Sequence, residues 1–384
     1  MIYLDHNATS PLREEALAAM TQAMADCGNA SSVHAAGRRA RARIENAREA
    51  VAKLAGCRSF EVVFTSGGTE ANGLALRGAV QGAADAGKRV TRLLISAIEH
   101  DSVRAPATAL AETAPGLKLQ EIPVTSEGRL EISALRHMLI HGKGRALVSV
   151  MAANNETGVV QDIPSIGAVV RQEGGPDALL HVDAVPMIGR AEFSFRTADA
   201  DYMTVSAHKL GGPQGAGALI VREGAPLSAE ITGGGQEMGR RAGTENVAAI
   251  AGFGAAARNV EFARDVRVLR DSFEARLKAL VPDLVIFGAA AERLPNTTNF
   301  AIPGLLSDTA LIALDLDGIA VSTGAACSSG KVKPSHVLAA MGFTESLARC
   351  GIRVSFGWTN GERDADAAVA SIGRLVARRS ALAA

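Results

Sequence analysis

Three polar residues each stand at or just beyond the end of a short apolar run, the place where an open α/β sheet gathers its ligands. Asp183 follows Leu179-Leu180-His181-Val182. Lys209 closes Ser206-Ala207-His208-Lys209 behind the run Tyr202-Met203-Thr204-Val205, and His100 lies just past Leu93-Leu94-Ile95-Ser96. An acid at the end of a buried strand is costly to desolvate unless it meets a cation, although backbone N–H groups can also satisfy it. A lysine there is either a surface residue or, in a buried pocket, an amine of depressed pKa that condenses with an aldehyde. The histidine is either structural or a flat ring able to stack on a ligand and relay protons.

Other segments add chemistry of a compatible kind. Ser66-Gly67-Gly68-Thr69-Glu70 sits between an apolar run and a helical pattern. It is an ordinary strand-to-helix turn or a cup in which backbone N–H groups and the Thr69 hydroxyl meet an anion. No Lys-Ser or Lys-Thr follows at P-loop spacing, and the GxGxxG fingerprint is absent. Asn154-Asn155-Glu156-Thr157-Gly158 has the residues of a turn, or of amides that bind a cofactor oxygen or substrate. Cys327 lies in Ser322-Thr323-Gly324-Ala325-Ala326-Cys327-Ser328-Ser329-Gly330-Lys331, a run with little bulk to fill a core. A thiol there could act as a nucleophile, with Lys331 and Lys333 favouring its thiolate. Arg353, in Gly351-Ile352-Arg353-Val354-Ser355, is a surface or paired group, or a planar fork suited to a substrate carboxylate. An acid for a pyridinium nitrogen, a lysine for an aldehyde and a cup for a phosphate are together the parts that pyridoxal phosphate requires.

Positioning such groups needs a sheet. Apolar runs at 61–65, 93–96, 147–151, 179–183, 202–206 and 218–221 read as buried strands, mostly separated by helix-length segments. That alternation predicts an α/β domain with a mainly parallel central sheet. A helix is expected after Pro11, another over about 38–54 ending at Gly56, and a long one over about 244–280 beyond the Gly-rich break at 232–236. Strands near 299–302 and 352–355 suggest a smaller C-terminal α/β domain. The expected organisation is an arm over 1–10 packing with the small domain, a large domain over 11–250, and a small domain over 251–384 carrying Cys327.

Composition bounds the reading. The chain has 384 residues, 47% hydrophobic and 21% charged, enough for about two soluble globular domains. Forty basic residues balance forty acidic ones, which argues against a chain built to hold nucleic acid or an anionic membrane. No apolar run approaches the ~18 residues of a membrane span. The start, Met1-Ile2-Tyr3-Leu4-Asp5-His6, lacks the basic and apolar regions of a signal peptide, so a cytoplasmic protein is expected. Cys27, Cys57, Cys327 and Cys350 form no CxxC pair, which fits free thiols better than a zinc site or disulfide framework.

On these residues the chain closely resembles the cysteine desulfurases of the NifS/IscS type, in the class V aminotransferase group of fold-type I pyridoxal-phosphate enzymes. The resemblance runs from Tyr3-Leu4-Asp5-His6-Asn7-Ala8-Thr9 through Thr65-Ser66-Gly67-Gly68-Thr69-Glu70-Ala71-Asn72, Asn154-Asn155-Glu156-Thr157-Gly158, His181-Val182-Asp183-Ala184 and Ser206-Ala207-His208-Lys209. It continues through Gly233-Gly234-Gly235-Gln236-Glu237 and Arg241-Ala242-Gly243-Thr244-Glu245-Asn246 to Ala326-Cys327 and Arg353. It implies that Lys209 binds the cofactor covalently, Asp183 pairs with its ring nitrogen and His100 lies over the ring. Gly68, Thr69, Ser206 and His208 would surround the phosphate, and Thr244 would reach the phosphate of a neighbouring subunit in a homodimer. Asn155 would lie near substrate and cofactor, and Arg353 would clamp the carboxylate of L-cysteine. Cys327 would accept the sulfur as a persulfide and pass it to an iron–sulfur scaffold or another acceptor protein, while protonation and the return of Lys209 would release L-alanine. No metal is required, although Cys327 could transiently ligate an iron–sulfur cluster.

One position departs from the family pattern. Where a glutamine usually donates to the cofactor's phenolate oxygen, three residues after the aspartate, this chain has Pro186, which offers no donor. A selenocysteine lyase or an ordinary aminotransferase would share the same apparatus, and Cys327 distinguishes transamination, which needs no mobile thiol. A non-catalytic scaffold would not need Lys209, and a nicotinamide dehydrogenase would need the missing GxGxxG.

Overall fold

The computed structural model describes residues 1–260, 264–323 and 334–383. Twelve strands occur among them: β1 (Ile2–Tyr3), β2 (Val62–Thr65), β3 (Val90–Ser96), β4 (Lys118–Ile122), β5 (Arg145–Met151), β6 (Leu179–Asp183), β7 (Tyr202–Ser206), β8 (Gly217–Val221), β9 (Val285–Ile286), β10 (Thr297–Ala301), β11 (Ile319–Ala320) and β12 (Gly351–Ser355). Seven form the central sheet in the order β2-β8-β7-β6-β5-β3-β4. The pairs from β7 through β6, β5 and β3 to β4 are all parallel. β8 runs antiparallel to β7, and β2 antiparallel to β8. Two reversals return β2 to the direction of β7. Thr65, Ser96, Met151, Asp183 and Ser206 therefore all leave the sheet at the same edge.

Alternation along the strands sends side chains to two cores, as a sheet buried on both faces requires. Leu94, Val148, Val150, Leu180 and Val182 pack on one side with Ile44, Val51, Val170 and Phe253. Leu93, Ile95, Leu147 and Leu179 pack on the other with Leu74, Leu76, Val103 and Ala107. A third core gathers Leu4, Phe273, Phe300, Phe356 and Ile372 around the antiparallel sheet β12-β10-β9. The parallel pairing of β1 with β11 draws the N-terminal arm to it. Among the described residues, no helix is long and apolar enough to cross a membrane.

Two expectations need correction. The single helix anticipated over 244–280 is two, Val247–Arg258 and Arg264–Leu280. Asn246 caps the first through its side chain, and Asn259 leaves helical geometry at its end, as a short amide residue does readily. β4 was not expected, because its residues are mostly polar. It is an edge strand with one buried residue, Ile122, so it lacks the apolar run of its neighbours.

The helix Ala35–Ala55, which ends on Gly56 in the left-handed region, carries one buried charge with a structural task. Arg48 forms a bidentate ion pair with Glu237, at 2.7 and 2.9 Å, and also donates to the Val62 carbonyl at 2.7 Å. Glu237 in turn accepts from the Phe64 N–H. Glu237 and its neighbour Met238 both hold positive φ, 47° and 57°, so the ion pair secures a loop with unfavourable backbone angles. Removing one partner leaves a buried charge unmatched. Arg48→Met should therefore lose about 3–5 kcal/mol in denaturant unfolding, and a loss within the range of a surface pair would show that something else holds the loop.

Candidate active site

The shared sheet edge brings most of the anticipated residues together. Asp183 ends β6, Ser206 ends β7, and a single 3-10 turn, Ala207–Lys209, sets His208 and Lys209 directly beyond it. Gly68 and Thr69 open the helix Gly68–Gly73 behind β2, and His100 caps the helix Asp101–Thr113 behind β3. With Asn155 these side chains line one cavity of about 260 Å³, shared with Asn7, Asn72, Ser102, Val185, Pro186 and Arg190. Larger cavities of 420 and 460 Å³ lie around Arg77 and Glu230 and around Gln161 and Glu292, but neither includes a lysine.

Lys209 is the most perturbed amine. Burial, reinforced by the positive charges of Arg190 and Arg353, lowers its pKa from 10.5 to about 7, against the opposing pull of Asp5 and Asp183. Its Nζ donates to the Asn7 and Ala8 carbonyls of the N-terminal arm. The amine is thus held in place by neutral acceptors that do not demand its charge.

Asp183 is buried, and that burial raises its pKa. Its Oδ1 accepts from the Val185 N–H at 2.9 Å, and its Oδ2 accepts from Asn72 Nδ2 at 2.9 Å. Asn72 Nδ2 also donates to Ser102 Oγ at 2.8 Å, and Ser102 Oγ lies 2.9 Å from His100 Nδ1. The Ser102 N–H donates to the same Nδ1, which places the proton of a neutral His100 on Nε2. Acid and imidazole are thus oriented by one polar chain. Behind Asp183, His181 lies between Ser149 and Thr204, and burial lowers its pKa to about 3, so it is neutral.

Glu99, next to His100, is also fully buried, and burial together with the charge of Asp183 pushes its pKa well up. Glu99 Oε1 accepts from the Met151 N–H at 2.6 Å, whereas Oε2 has no partner among the described residues. That upward shift disfavours a second negative charge beside Asp183.

The opposite end of the cavity suits an anion. The first N–H groups of the helix starting at Gly68 have no intrahelical acceptors. Ser206 Oγ is buried without a partner among the described residues, an arrangement costing about 1–3 kcal/mol unless a ligand satisfies it. A Cβ at Gly68 would lie 3.0 Å from Val185 Cγ2 and 3.7 Å from Ser206 Cβ, so glycine leaves space that other residues would crowd. His208 has its pKa lowered to about 4 by burial and by Lys209 and Arg190, and its Nδ1 lies 3.2 Å from Thr9 Oγ1. A cationic heteroaromatic ring bearing an aldehyde and an anionic tail is the kind of ligand this set could hold.

Two anticipated residues do not line this cavity, and a third lies outside the described residues. Arg353 on β12 ion-pairs with Asp5 at 2.7 Å and donates to the Asn155 carbonyl at 3.1 Å, which brings it to the cavity's edge. Thr244 is exposed and lines a separate cavity of about 210 Å³ with Ser66, Glu237 and Arg241. Cys327, with Lys331 and Lys333, lies outside the described residues. Of the other cysteines, Cys27 is exposed and Cys350 buried, while burial pushes the Cys57 thiol up to about 12, far from thiolate formation at neutral pH.

Sequence reasoning passed over Asn7, Asn72, Ser102 and Arg190 as site residues, and it set Pro186 aside although Pro186 lines the cavity. Asn7 and Asn72 stand within motifs that carry the resemblance, and Arg190 is a charge directly after the mostly apolar stretch Pro186-Met187-Ile188-Gly189. In the cofactor-free protein, site-resolved labelling with an amine reagent should give Lys209 a titration midpoint near 7. Labelling that rises only in the ordinary lysine range would show that the amine stays protonated.

Residues 2–368 match the family model described as aminotransferase class-V. An IscS-like cysteine desulfurase of Mycobacterium tuberculosis is 39% identical, covering 100% of this chain and 99% of its own length. A cysteine desulfurase of Cereibacter sphaeroides is 42% identical over 93% of this chain and 91% of its own. Among solved structures, a NifS-like protein from Rickettsia africae superposes with a TM-score of 0.87 at 34% identity, covering 98% of this chain and 99% of that one. Both the site's donor set and these likenesses lead to the same conclusion: the chain belongs to the class-V aminotransferase family, among its NifS- and IscS-like cysteine desulfurases.

Proposed function

We propose that this chain is a pyridoxal-phosphate-dependent cysteine desulfurase that takes sulfur from L-cysteine, releases L-alanine and carries the sulfur as a persulfide on Cys327. The observation that carries the reading is the meeting, in one cavity, of a buried acid, a lysine with pKa near 7, an oriented histidine and an unpartnered hydroxyl at the anion end. The donor set fits the cofactor. Asp183 would hold the ring nitrogen in its protonated state, Lys209 would bind the aldehyde and His100 would face the ring. Gly68, Thr69, Ser206 and His208 would hold the phosphate, and Asn155 would lie beside cofactor and substrate. When bound, pyridoxal phosphate supplies a sink for the electron pair left when a substrate Cα–H bond breaks.

The chain's own residues account for the rest. The Lys209 amine, with a pKa near 7 and so substantially unprotonated at neutral pH, can take the substrate Cα proton and later return one, as a general base and acid. His100 has its Nε2–H free of the bonds that orient Nδ1 and can give or take a proton near the substrate. Arg353 already holds Asp5, so clamping a substrate carboxylate requires its fork to serve both anions or to exchange one for the other. The Cys327 thiolate attacks the substrate sulfur; the S–S bond forms as the substrate C–S bond breaks, and the carbon fragment gains a proton and leaves as alanine. Support for Cys327 comes from the described residues on either side of it. Ser322 pairs with Arg353 through the backbone, and Ser335 donates to buried Glu156 at 2.5 Å. Both anchors adjoin Asn155. Exposed Thr244 suits a role toward a partner's phosphate in a homodimer, and an iron–sulfur scaffold or another sulfur-acceptor protein would receive the persulfide.

The purified protein should be yellow, and Lys209→Ala should abolish its visible band. Cys327→Ala should keep the band and lose sulfide release from cysteine by a factor of about 10² or more. Full sulfide production by Cys327→Ala would overturn the persulfide step, and a band that survives in Lys209→Ala would overturn the cofactor linkage.

A further inference from the structure

Arg190 has been given no task so far. Its guanidinium donates to the Pro186 carbonyl at 3.0 Å and to the His6 carbonyl at 2.6 Å, both neutral acceptors. No carboxylate among the described residues lies within ion-pair distance of it, in contrast to Arg353, which holds Asp5. A guanidinium has more N–H bonds than two carbonyls satisfy. Burial, assisted by Arg353, pulls its pKa down to about 10, so it remains a cation at neutral pH but an unfavourably solvated one. A partly buried cation without a counter-anion calls for one.

Its location says where that anion would be. Arg190 lines the cavity that holds Asp183 and Ser206, and also a smaller one behind it that includes His6, Arg13 and Trp358. Among the described residues Lys209 is the one other that lines both, so the amine and the guanidinium form a common wall between them. The phosphate end has its own donors at Gly68, Ser206 and His208, and the ring nitrogen has Asp183. In pyridoxal phosphate one further anionic atom remains, the ring oxygen, on the carbon next to the one bearing the aldehyde. Val185 and Pro186, which line the same wall, have no side-chain donor for it.

We propose that Arg190 holds the anionic ring oxygen of bound pyridoxal phosphate and thereby sets the pH at which the adjacent lysine-linked nitrogen loses its proton. The proposal rests on the cofactor reading above. A fixed positive charge beside the oxygen favours its anionic form, so the neighbouring nitrogen gives up its proton at lower pH. The other charges facing Lys209 are Asp5 from the N-terminal arm, Asp183 from β6 and Arg353 from β12. His208 adjoins it in the same turn. All of these are unchanged in the variants below.

The test is a pH titration of the visible band of the substrate-free holoenzyme. Arg190→Gln should raise the midpoint by about one pH unit or more, whereas Arg190→Lys, which keeps the charge, should stay nearer the parent. A midpoint unmoved in Arg190→Gln, with the band intact, would overturn the role and leave the cofactor reading standing. A parent protein without a band that depends on Lys209 would instead overturn the cofactor reading itself. Should Arg190→Gln fail to fold, the unmodified protein still decides the matter. A pyridoxal-phosphate analogue lacking the ring oxygen should bind about tenfold or more weakly than the cofactor, and equal affinity would refute the proposal.

Discussion

Burying the Lys209 amine where two guanidinium groups already stand makes its protonation unfavourable, and the surrounding chain is built to be consistent with that. The arm residues Asn7 and Ala8 offer the amine carbonyl oxygens, which accept a hydrogen bond without stabilising a full positive charge as a carboxylate would. Asp183 and Asp5 act on the amine in the opposite sense and keep its pKa near neutrality. The arm is therefore part of the site's electrostatics. Its position follows from the pairing of β1 with β11, so two short strands outside the central sheet help fix the state of the lysine.

The same economy of charge governs the acids. Asp183 and Glu99 are both buried near one another, and each has its pKa raised by burial. They differ in their partners. Asp183 accepts two hydrogen bonds and feels the charges of His100 and Lys209, whereas Glu99 has one oxygen without a partner among the described residues. Burial and Asp183 thus push the Glu99 pKa well up, whereas Asp183, with its two donors, lines the cavity. The cysteines divide in a similar way, since burial keeps the Cys57 thiol protonated while Cys27 is exposed.

Much of this was legible in the sequence because the sheet is buried on both faces. Continuous apolar runs marked β6 and β7 at their observed limits, and the polar residue ending each run lines the cavity. The cup at Gly68 and Thr69 was legible as small residues before a helix. What escaped notice depends on distance along the chain. Asn72 becomes a site residue through a bond to Asp183, 111 residues away, and Asn7 and Arg190 through folding of the arm and the segment after β6 around Lys209. No local pattern encodes such meetings. β4 escaped because an edge strand need not be apolar, and the break after Arg258 because asparagine is only a weak stop signal. Cys327 came from composition and resemblance together, and the described residues bear on it only through their anchors at Arg353 and Glu156.

The ion pair between Arg48 and Glu237 joins residues 189 positions apart and secures two consecutive left-handed backbone conformations. Its closure needs β2 in place, because Val62 and Phe64 complete the bonding of both partners. Closing so long a loop carries an entropic cost that nearer contacts do not. The loop that leads to Thr244 is secured only where the helix Ala35–Ala55 and β2 are both in place. If that loop meets a second subunit, only a finished monomer presents the surface to be met. Assembly would then act as a check on folding: chains whose helix Ala35–Ala55 is misplaced would be unable to pair.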